Sequence, residues 1–472
     1  MELRGYQEKL IADIRGQFKL GHKRVLAVSP TGSGKTATTA AMIKRTVARD
    51  RTALFSVHRQ ELMDQSIDAF NEQEIEHGCI AAGYDSNLER TVQIASIESL
   101  RRRLDKLTFK PSLFVVDEAA HSCSETWRHV INYYPEAYVV GITATPERLD
   151  GKGLGEIYTS MVQGPTTGWL IDNGYLARYD LFAPTMPDLS SCRTRMGDFA
   201  SEQAAGIMDT PRVTGDAIRE YRNHCDNKPA VAFCVSIEHS QNTADAFMQA
   251  GYTAVHIDGN TPRNIRRQAV DDFRRGNIKV LTSVDIFSEG FDLPAVEGAI
   301  LLRPTQSLSL YLQQVGRALR KSDGKDRAII LDHAGNVQRH FLPDEERQWS
   351  LDGRKKRKPS DEEVALKIRQ CLKCYHFHRP APVCPKCGNV YPVTPREVEF
   401  VDGELTKFER GSKQYKQIDR ALIEAKTRDQ LESLALERGY KNPSVWAEIR
   451  LAARQKRKPD FAIAMARRKL YA

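Results

Sequence analysis

The sequence predicts two parallel-sheet α/β domains in tandem, followed by a small cysteine-bearing module and a basic helical tail. Three observations carry that prediction. Short β-branched runs alternate with helical patterns in two successive blocks, four cysteines crowd between Cys371 and Cys387, and the positive charge gathers at one end. A chain of 472 residues exceeds one ordinary domain, since about 150 residues per domain is the usual scale.

In the first block the runs at 25–29, 53–57, 92–95, 113–116 and 138–142 read as strands, separated by helical segments such as 37–49 and 59–70. Apolar runs of that length alternating with helices mean crossover units on a parallel sheet. The pattern recurs at 231–235, 254–257, 279–283, 298–302 and 328–331, with helices at 237–249, 263–275 and 308–320. A proline-rich and polar stretch near 183–201 joins the two blocks. The expected divisions are 1–182, 183–350, a cysteine module at 365–400 and a basic helical region at 410–472.

The net charge of +9 is unevenly placed: residues 351–472 carry 28 Lys and Arg against 16 Asp and Glu, whereas residues 1–350 carry 42 against 45. A basic appendage of net +12 favours a polyanion, because neutralising phosphates releases their counterions. No apolar run has the roughly 18–20 residues of a membrane span, and the opening MELRGYQEKL has no apolar signal core. Five scattered cysteines beside one cluster differ from an even disulfide framework. A cytoplasmic, reducing setting is expected, in a bacterial cell or a phage-infected host.

The stretch VLAVSPTGSGKT, residues 25–36, delivers a buried strand into Thr31, Gly32, Ser33 and Gly34, followed by Lys35 and Thr36. Glycines permit a tight turn that aims backbone N–H groups at phosphate, Lys35 supplies a point charge, and Thr36 offers a hydroxyl to Mg²⁺ as a helix begins. The strict pattern asks for glycine where Ser29 stands. A second element, LFVVDEAAHS at 113–122, ends a strand in Asp117 and Glu118. An open parallel sheet binds its ligands at that edge. Asp117 is expected to hold Mg²⁺ and Glu118 to orient or deprotonate an attacking water; the bland reading of such a pair is a helix cap. In YLQQVGRALR, residues 311–320, spacings of four and three put Gln313, Arg317 and Arg320 on one helical face. Such a face is either solvated or presents arginine fingers to a γ-phosphate held by the first domain.

At these residues the chain resembles the superfamily 2 helicases across about residues 1–345. LRGYQ (residues 3–7) is similar to their adenine-reading element, SPTGSGKT to motif I, VVDEAAH to motif II, TATP (143–146) to motif III, SVDIFSEGFDLP (283–294) to motif V and QQVGRALR to motif VI. VHRQELMDQ (57–65) and TPERLDGKGL (145–154) are similar to a narrower bacterial and phage group related to the RadD repair protein and to restriction motors. The resemblance implies two RecA-like domains, ATP and Mg²⁺ as cofactors, and Gln7 as adenine reader. It places Gly290 and Asp292 near the nucleotide, and Thr143 and Thr145 between ATP state and strand grip. A nucleic-acid path over His58, Arg59, Ser96, Arg263 and Arg266 is implied as well, with backbone contacts that carry no base preference. Motif II departs from the family pattern, with alanine at its fourth position and His121 at its fifth.

Cys371 and Cys374 stand two residues apart, as do Cys384 and Cys387, with nine residues between the pairs. Two such turns bring four thiolates into a tetrahedron suited to structural Zn²⁺ and leave no position for water. His376 and His378 are either competing ligands or ordinary surface or DNA-facing side chains, and redox chemistry is the lesser alternative. Trp446, among Lys441, Arg450 and Arg454, either anchors helices or stacks on a base. The expected activity is a nucleic-acid-stimulated ATPase, with single-stranded or forked DNA preferred, no membrane, and a recombination or replication protein as a further partner. An RNA helicase and an ATP-clamped scaffold are the alternatives.

Overall fold

Parallel strands buried on both faces build both halves of the molecule, and their side chains alternate accordingly. The computed structural model describes residues 3–58, 60–148, 151–183, 187–195, 197–284, 296–353, 367–391, 425, 427–437 and 442–454. Residues 1–393 form one compact unit and 394–472 a second.

The first lobe contains strands β1 (Arg24–Val28), β2 (Ala53–Val57), β3 (Gly78–Ile80), β4 (Val92–Ser96), β5 (Leu113–Asp117), β6 (Tyr138–Thr143) and β7 (Ser160–Gln163). They lie in the order β3-β4-β2-β5-β6-β1-β7, parallel throughout. Helices α1 (Gly5–Lys19), α2 (Lys35–Val47), α3 (Gln60–Glu72), α4 (Ile97–Arg103) and α5 (Glu125–Tyr133) cover the faces. On β1, Val25 and Ala27 join one core while Leu26 and Val28 join the core on the opposite face.

The chain then passes through α6 (Thr167–Asp172) to β8 (Arg178–Phe182), which already belongs to the second sheet. The crossing between lobes therefore falls before the composition change at 183, because Leu170 and Leu176 are buried in the second lobe's core. A hairpin of β9 (Thr194–Arg195) and β10 (Asp198–Phe199) comes next, tied down where Asp198 accepts from Gln306 N and Thr305 Oγ1 at 2.7 and 2.8 Å. The second lobe continues with α7 (Ser201–Met208), α8 (Pro211–Cys225), β11 (Ala230–Phe233), α9 (Ile237–Gln249), β12 (Ala254–Ile257), α10 (Arg263–Arg274) and β13 (Val280–Ser283). It closes with β14 (Gly298–Leu301), α11 (Leu308–Ala318), β15 (Arg327–Asp332) and α12 (Asn336–His340).

Two short strands, β16 (Arg369–Gln370) and β17 (His376–His378), extend that sheet antiparallel, giving the order β12-β13-β11-β14-β15-β8-β17-β16. The cysteine module is thus an edge of the second sheet. Its seam is held by Asp180, 2% exposed, which meets Arg327 Nη2 at 2.9 Å, Lys386 Nζ at 2.6 Å and His376 Nε2 at 3.5 Å. Desolvation opposes its charge, but hydrogen bonds from His376 and Lys386 and the charge of Arg327 outweigh it and hold the carboxyl far below its ordinary range.

In the second unit, α13 (Arg428–Glu437) and α14 (Pro443–Arg454) pack around Leu431, Ala435, Trp446 and Ala447. Trp446, 7% exposed, is a core anchor there. No helix among the described residues is long and apolar enough to cross a membrane.

Replacing Asp180 by Ala removes the shared partner of two half-exposed cations that can regain water, and should cost about 1–3 kcal/mol in denaturant unfolding at neutral pH. Because the folded carboxyl titrates below its unfolded value, the wild-type advantage should persist above about pH 4 and fade as the pH drops further.

Candidate functional site

Beyond β1 the chain turns through Gly32 and Gly34, whose φ angles of +82° and +80° are left-handed, and α2 starts at Lys35. Glycine relieves the steric cost of that conformation. Gln7 Nε2 donates to Ser33 O and Gly34 O at 3.2 Å each, its Oε1 accepts from Arg4 N at 2.9 Å, and Tyr6 Oη donates to Ser33 O at 2.8 Å. Gln7, expected at the adenine, is here engaged with the loop itself. Because C=O and N–H point oppositely across a trans peptide, drawing the Ser33 carbonyl toward α1 turns the Gly34 N–H toward the opposite side. A side chain at Gly34 would put its Cβ 2.5 Å from Gln7 Nε2. Ser29, the departure from the strict loop pattern, donates from Oγ to Ser33 Oγ at 2.7 Å, with both residues buried. That bond braces the entrance of the turn.

Asp117 ends β5, and Glu118 comes next with φ +46°, ψ 58°, a left-handed conformation that costs a non-glycine residue about 1–2 kcal/mol. Strain of this kind gathers at working sites. Glu118 is buried, and its Oε2 has no hydrogen-bond partner among the described residues. Burial, then the charge of Glu118, raise Asp117 to about 7 against the pull of Lys35. Lys35 is lowered, chiefly by burial, with Glu118 and Asp117 opposing and Arg317 and Arg320 adding to the shift. Crowded acids and crowded cations in one place fit a metal ion on one side and a polyanion on the other. The donor pair Thr36 and Asp117 is the oxygen chemistry Mg²⁺ takes.

The second lobe closes over this loop. Gly316 of α11 stands so near that a Cβ added to it would lie 2.6 Å from Thr31 Cβ. Arg320 Cγ lies 3.6 Å from where a Cβ on Gly32 would stand. Gln313 and Arg317 are buried on α11. The helix ends at Ala318, so Arg320 does not share its face as the spacing implied; it reaches the loop from the turn beyond. Lys325 Nζ caps this end, donating to the carbonyls of Ala318 and Arg320, the latter at 2.9 Å, and also to Val296 O at 2.6 Å. A second bridge between lobes runs from Thr145 Oγ1 to Ser309 Oγ at 2.5 Å, while Thr143 Oγ1 donates to Thr145 O at 2.9 Å.

The residues expected along a nucleic-acid path are placed less uniformly. His58 stacks on His121 with ring centroids 4.4 Å apart, so the histidine of motif II contacts its own lobe. Ser96 Oγ caps α4 by accepting from Ser99 N at 3.3 Å. Arg266 Nη2 donates to Thr261 O at 3.0 Å and to Gly259 O at 3.4 Å, shaping the turn before α10. Arg263 opens α10; its side chain, Arg59, Gly290 and Asp292 lie outside the described residues.

In the cysteine module the Sγ atoms of Cys371, Cys374, Cys384 and Cys387 lie within 4.8 Å of one another, with Cys371 to Cys387 at 3.6 Å and Cys374 to Cys384 at 3.8 Å. A tetrahedron with Zn–S bonds of about 2.3 Å has edges of about 3.8 Å, whereas a disulfide needs about 2.05 Å. Desolvation opposes ionisation of Cys371, but the backbone N–H groups of Cys374 and Lys373 outweigh it and bring the thiol down to about 6. His376 and His378 sit on β17, and His378 lies 2.7 Å from Tyr391 Oη.

Ser309, Gly316 and the Ser29–Ser33 bond were not foreseen as parts of the site. Only Gly316 had a sequence signal, since a glycine inside a helix costs about 1 kcal/mol and marks close approach.

Residues 1–148 match the family model of the type III restriction enzyme res subunit, and residues 215–322 that of the helicase conserved C-terminal domain. A 51.5 kDa protein of Lactococcus phage (isolate 7-9) is 33% identical over 390 residues, covering 80% of this chain and 82% of the phage protein. The DNA 3'-5' translocase XPB2 of Sulfurisphaera tokodaii is 25% identical, covering 70% and 81%. Two yeast helicases also match, and this chain spans 51% and 59% of their lengths. Among solved structures, an HsdR-type fragment of a type I restriction enzyme from Vibrio vulnificus YJ016 has a TM-score of 0.57 at 20% identity. That overlap covers 72% of this chain and 65% of the fragment, and is a likeness of fold.

Gly316→Ala should change the melting temperature little, since the gain of about 1 kcal/mol in helix propensity is offset by the clash of its Cβ with Thr31. It should nevertheless slow ATP hydrolysis about 10- to 100-fold, because a displaced α11 misplaces the groups it carries; steady-state turnover beside a thermal melt checks both.

Proposed function

The chain belongs to the superfamily 2 helicases and is an ATPase of that group, and from that premise we propose that it converts ATP hydrolysis into movement along DNA. The observation that carries the reading is the contact of α11 with the phosphate loop, which brings Arg317 and Arg320 to Lys35 across the cleft between lobes. A site completed by two bodies works only while they are together, so bond cleavage and lobe motion are one event.

In this reading Lys35 and the loop N–H groups hold the β- and γ-phosphates, and Thr36 with Asp117 holds Mg²⁺. Magnesium, when bound, neutralises charge on the triphosphate. Glu118, whose Oε2 has no hydrogen-bond partner among the described residues, holds the attacking water in line and takes its proton. Gln313 supports the water or the γ-phosphate, and Arg317 and Arg320 meet the charge spreading onto the γ-oxygens, which stabilises the transition state more than bound ATP. The Thr145–Ser309 bond ties the same closure to the motif III backbone.

DNA is favoured over RNA as the track. A relative that spans most of this chain is named a DNA 3'-5' translocase, motif II lacks the Asp-Glu-Ala-Asp form, and residues 351–472 have a net charge of +12. The four cysteines hold structural zinc, their Sγ spacings matching tetrahedral edges. With that module the chain resembles the RadD-like bacterial and phage group, and DNA repair, recombination or replication is the setting proposed for it.

Lys35→Ala should abolish ATP turnover, and Glu118→Gln should bind ATP yet turn it over at least about 100-fold more slowly. Hydrolysis in the wild type should rise with single-stranded or forked DNA; a rise with RNA alone would reverse the choice of track. Metal analysis should find about one zinc per chain, and its removal by a chelator should lower the melting temperature.

A further inference from the structure

The stretch after α12, residues 342–353, leaves the second lobe and attaches to the first. Phe341 reverses the chain with φ +63°. Arg347 then stiffens the residues around the reversal, Nη2 donating to His340 O and Leu342 O at 3.0 and 2.9 Å and Nη1 to Pro343 O and Glu345 O at 3.3 and 2.8 Å. Tyr179 Oη donates to Asp344 Oδ1 at 2.5 Å, fixing this end to β8. Trp349 packs against the core of the second lobe and one core of the first; Leu351 packs against the first alone.

At the far end the contact is between backbones. Gly155 N donates to Leu351 O at 2.9 Å, and Lys152 bridges Gly353 antiparallel. Gly153 and Gly353 tolerate no side chain: a Cβ on Gly153 would lie 1.8 Å from Leu351 O, and one on Gly353, φ +76°, 2.3 Å from Gly153 N. The same stretch walls a cavity of about 60 Å³ between the lobes. There Glu345, Arg347 and Trp349 face Pro30 and Thr31 of the phosphate loop and Leu312 and Gly316 of α11.

The cysteine module holds the stretch from outside. Arg379 pairs with Asp344 and Glu345 at 3.1 and 3.3 Å, and Lys367 with Glu345 at 2.8 Å.

We infer that residues 342–353 are a strap that sets how far the two lobes close, with Trp349, Gly153 and Gly353 as positioning residues for the guanidinium groups of Arg317 and Arg320. The strap acts because closing costs the freedom of two bodies. A segment bonded to both lowers that cost, whereas a slackened one leaves the lobes together for a smaller share of the time. Anything that pulls on the cysteine module reaches the cleft through Asp344 and Glu345. The inference rests on the finger reading of Arg317 and Arg320 for its effect on hydrolysis, but not for its effect on closure.

The test uses the full-length, zinc-loaded protein with one dye on each lobe, at Asp50 and Asn277. Turnover, binding of a fluorescent ATP analogue and inter-lobe energy transfer are measured for Trp349→Ala, Gly153→Val and Trp349→Phe. The expected result for the first two is lower energy transfer with ATP bound and a kcat about 10- to 100-fold down, with analogue binding within about two-fold of wild type. Trp349→Phe should restore both signals. Unchanged energy transfer in Trp349→Ala would overturn the strap, as would an equal loss of analogue binding. Arg317→Ala separates the readings: it should lose turnover and keep wild-type energy transfer. If it hydrolyses ATP normally the finger role fails, while energy transfer in the strap variants still decides the strap.

Discussion

Van der Waals contact between Thr31 of the phosphate loop and Gly316 of α11 is the constraint on which the rest of the molecule depends. It sets the distance between lobes at a point where one methyl group is too much. The helix accepts the conformational cost of a glycine in its interior where it meets the phosphate loop, and Arg317, next in the helix, is buried within electrostatic reach of Lys35. The twin sheets, the hydroxyl pair Thr145 and Ser309 and the stretch from 342 to 353 all serve that approach.

Electrostatics derive from the same closure. Three cationic side chains, Lys35, Arg317 and Arg320, meet over two acids, and burial presses Lys35 and Asp117 toward their neutral forms. A cluster of that kind is poised rather than settled. In the proposed reading, a triphosphate with its metal would satisfy the members of this cluster.

The cysteine module belongs to this system by its attachment. It is an edge of the second sheet through β17 and β8, locked by Asp180 and joined by ion pairs to Asp344 and Glu345. In the proposed reading, a basic module joined to the second lobe in this way would pass a change at the cleft to whatever the module touches.

Much of this was legible along the chain. Two blocks of β-branched runs fixed the twin parallel sheets, because a strand buried on both faces must be apolar throughout. Thr31 to Thr36, Asp117 with Glu118 and the paired cysteines were legible because short-range chemistry dictates their spacing. Other features arose only when distant segments met. Strands β16 and β17 are too short to have a period of their own and exist because β8 offers an unpaired edge. Arg320 lies beyond its helix, in a turn whose carbonyls Lys325 caps. Gln7 holds the phosphate loop, and Ser29 repairs the missing glycine by bonding Ser33. The sequence by itself determined the chemistry, since residue type and local spacing decide which groups can hold phosphate, metal or sulfur ligands. Tertiary structure alone decided how near those groups come across the cleft, since that distance depends on contacts between segments hundreds of residues apart.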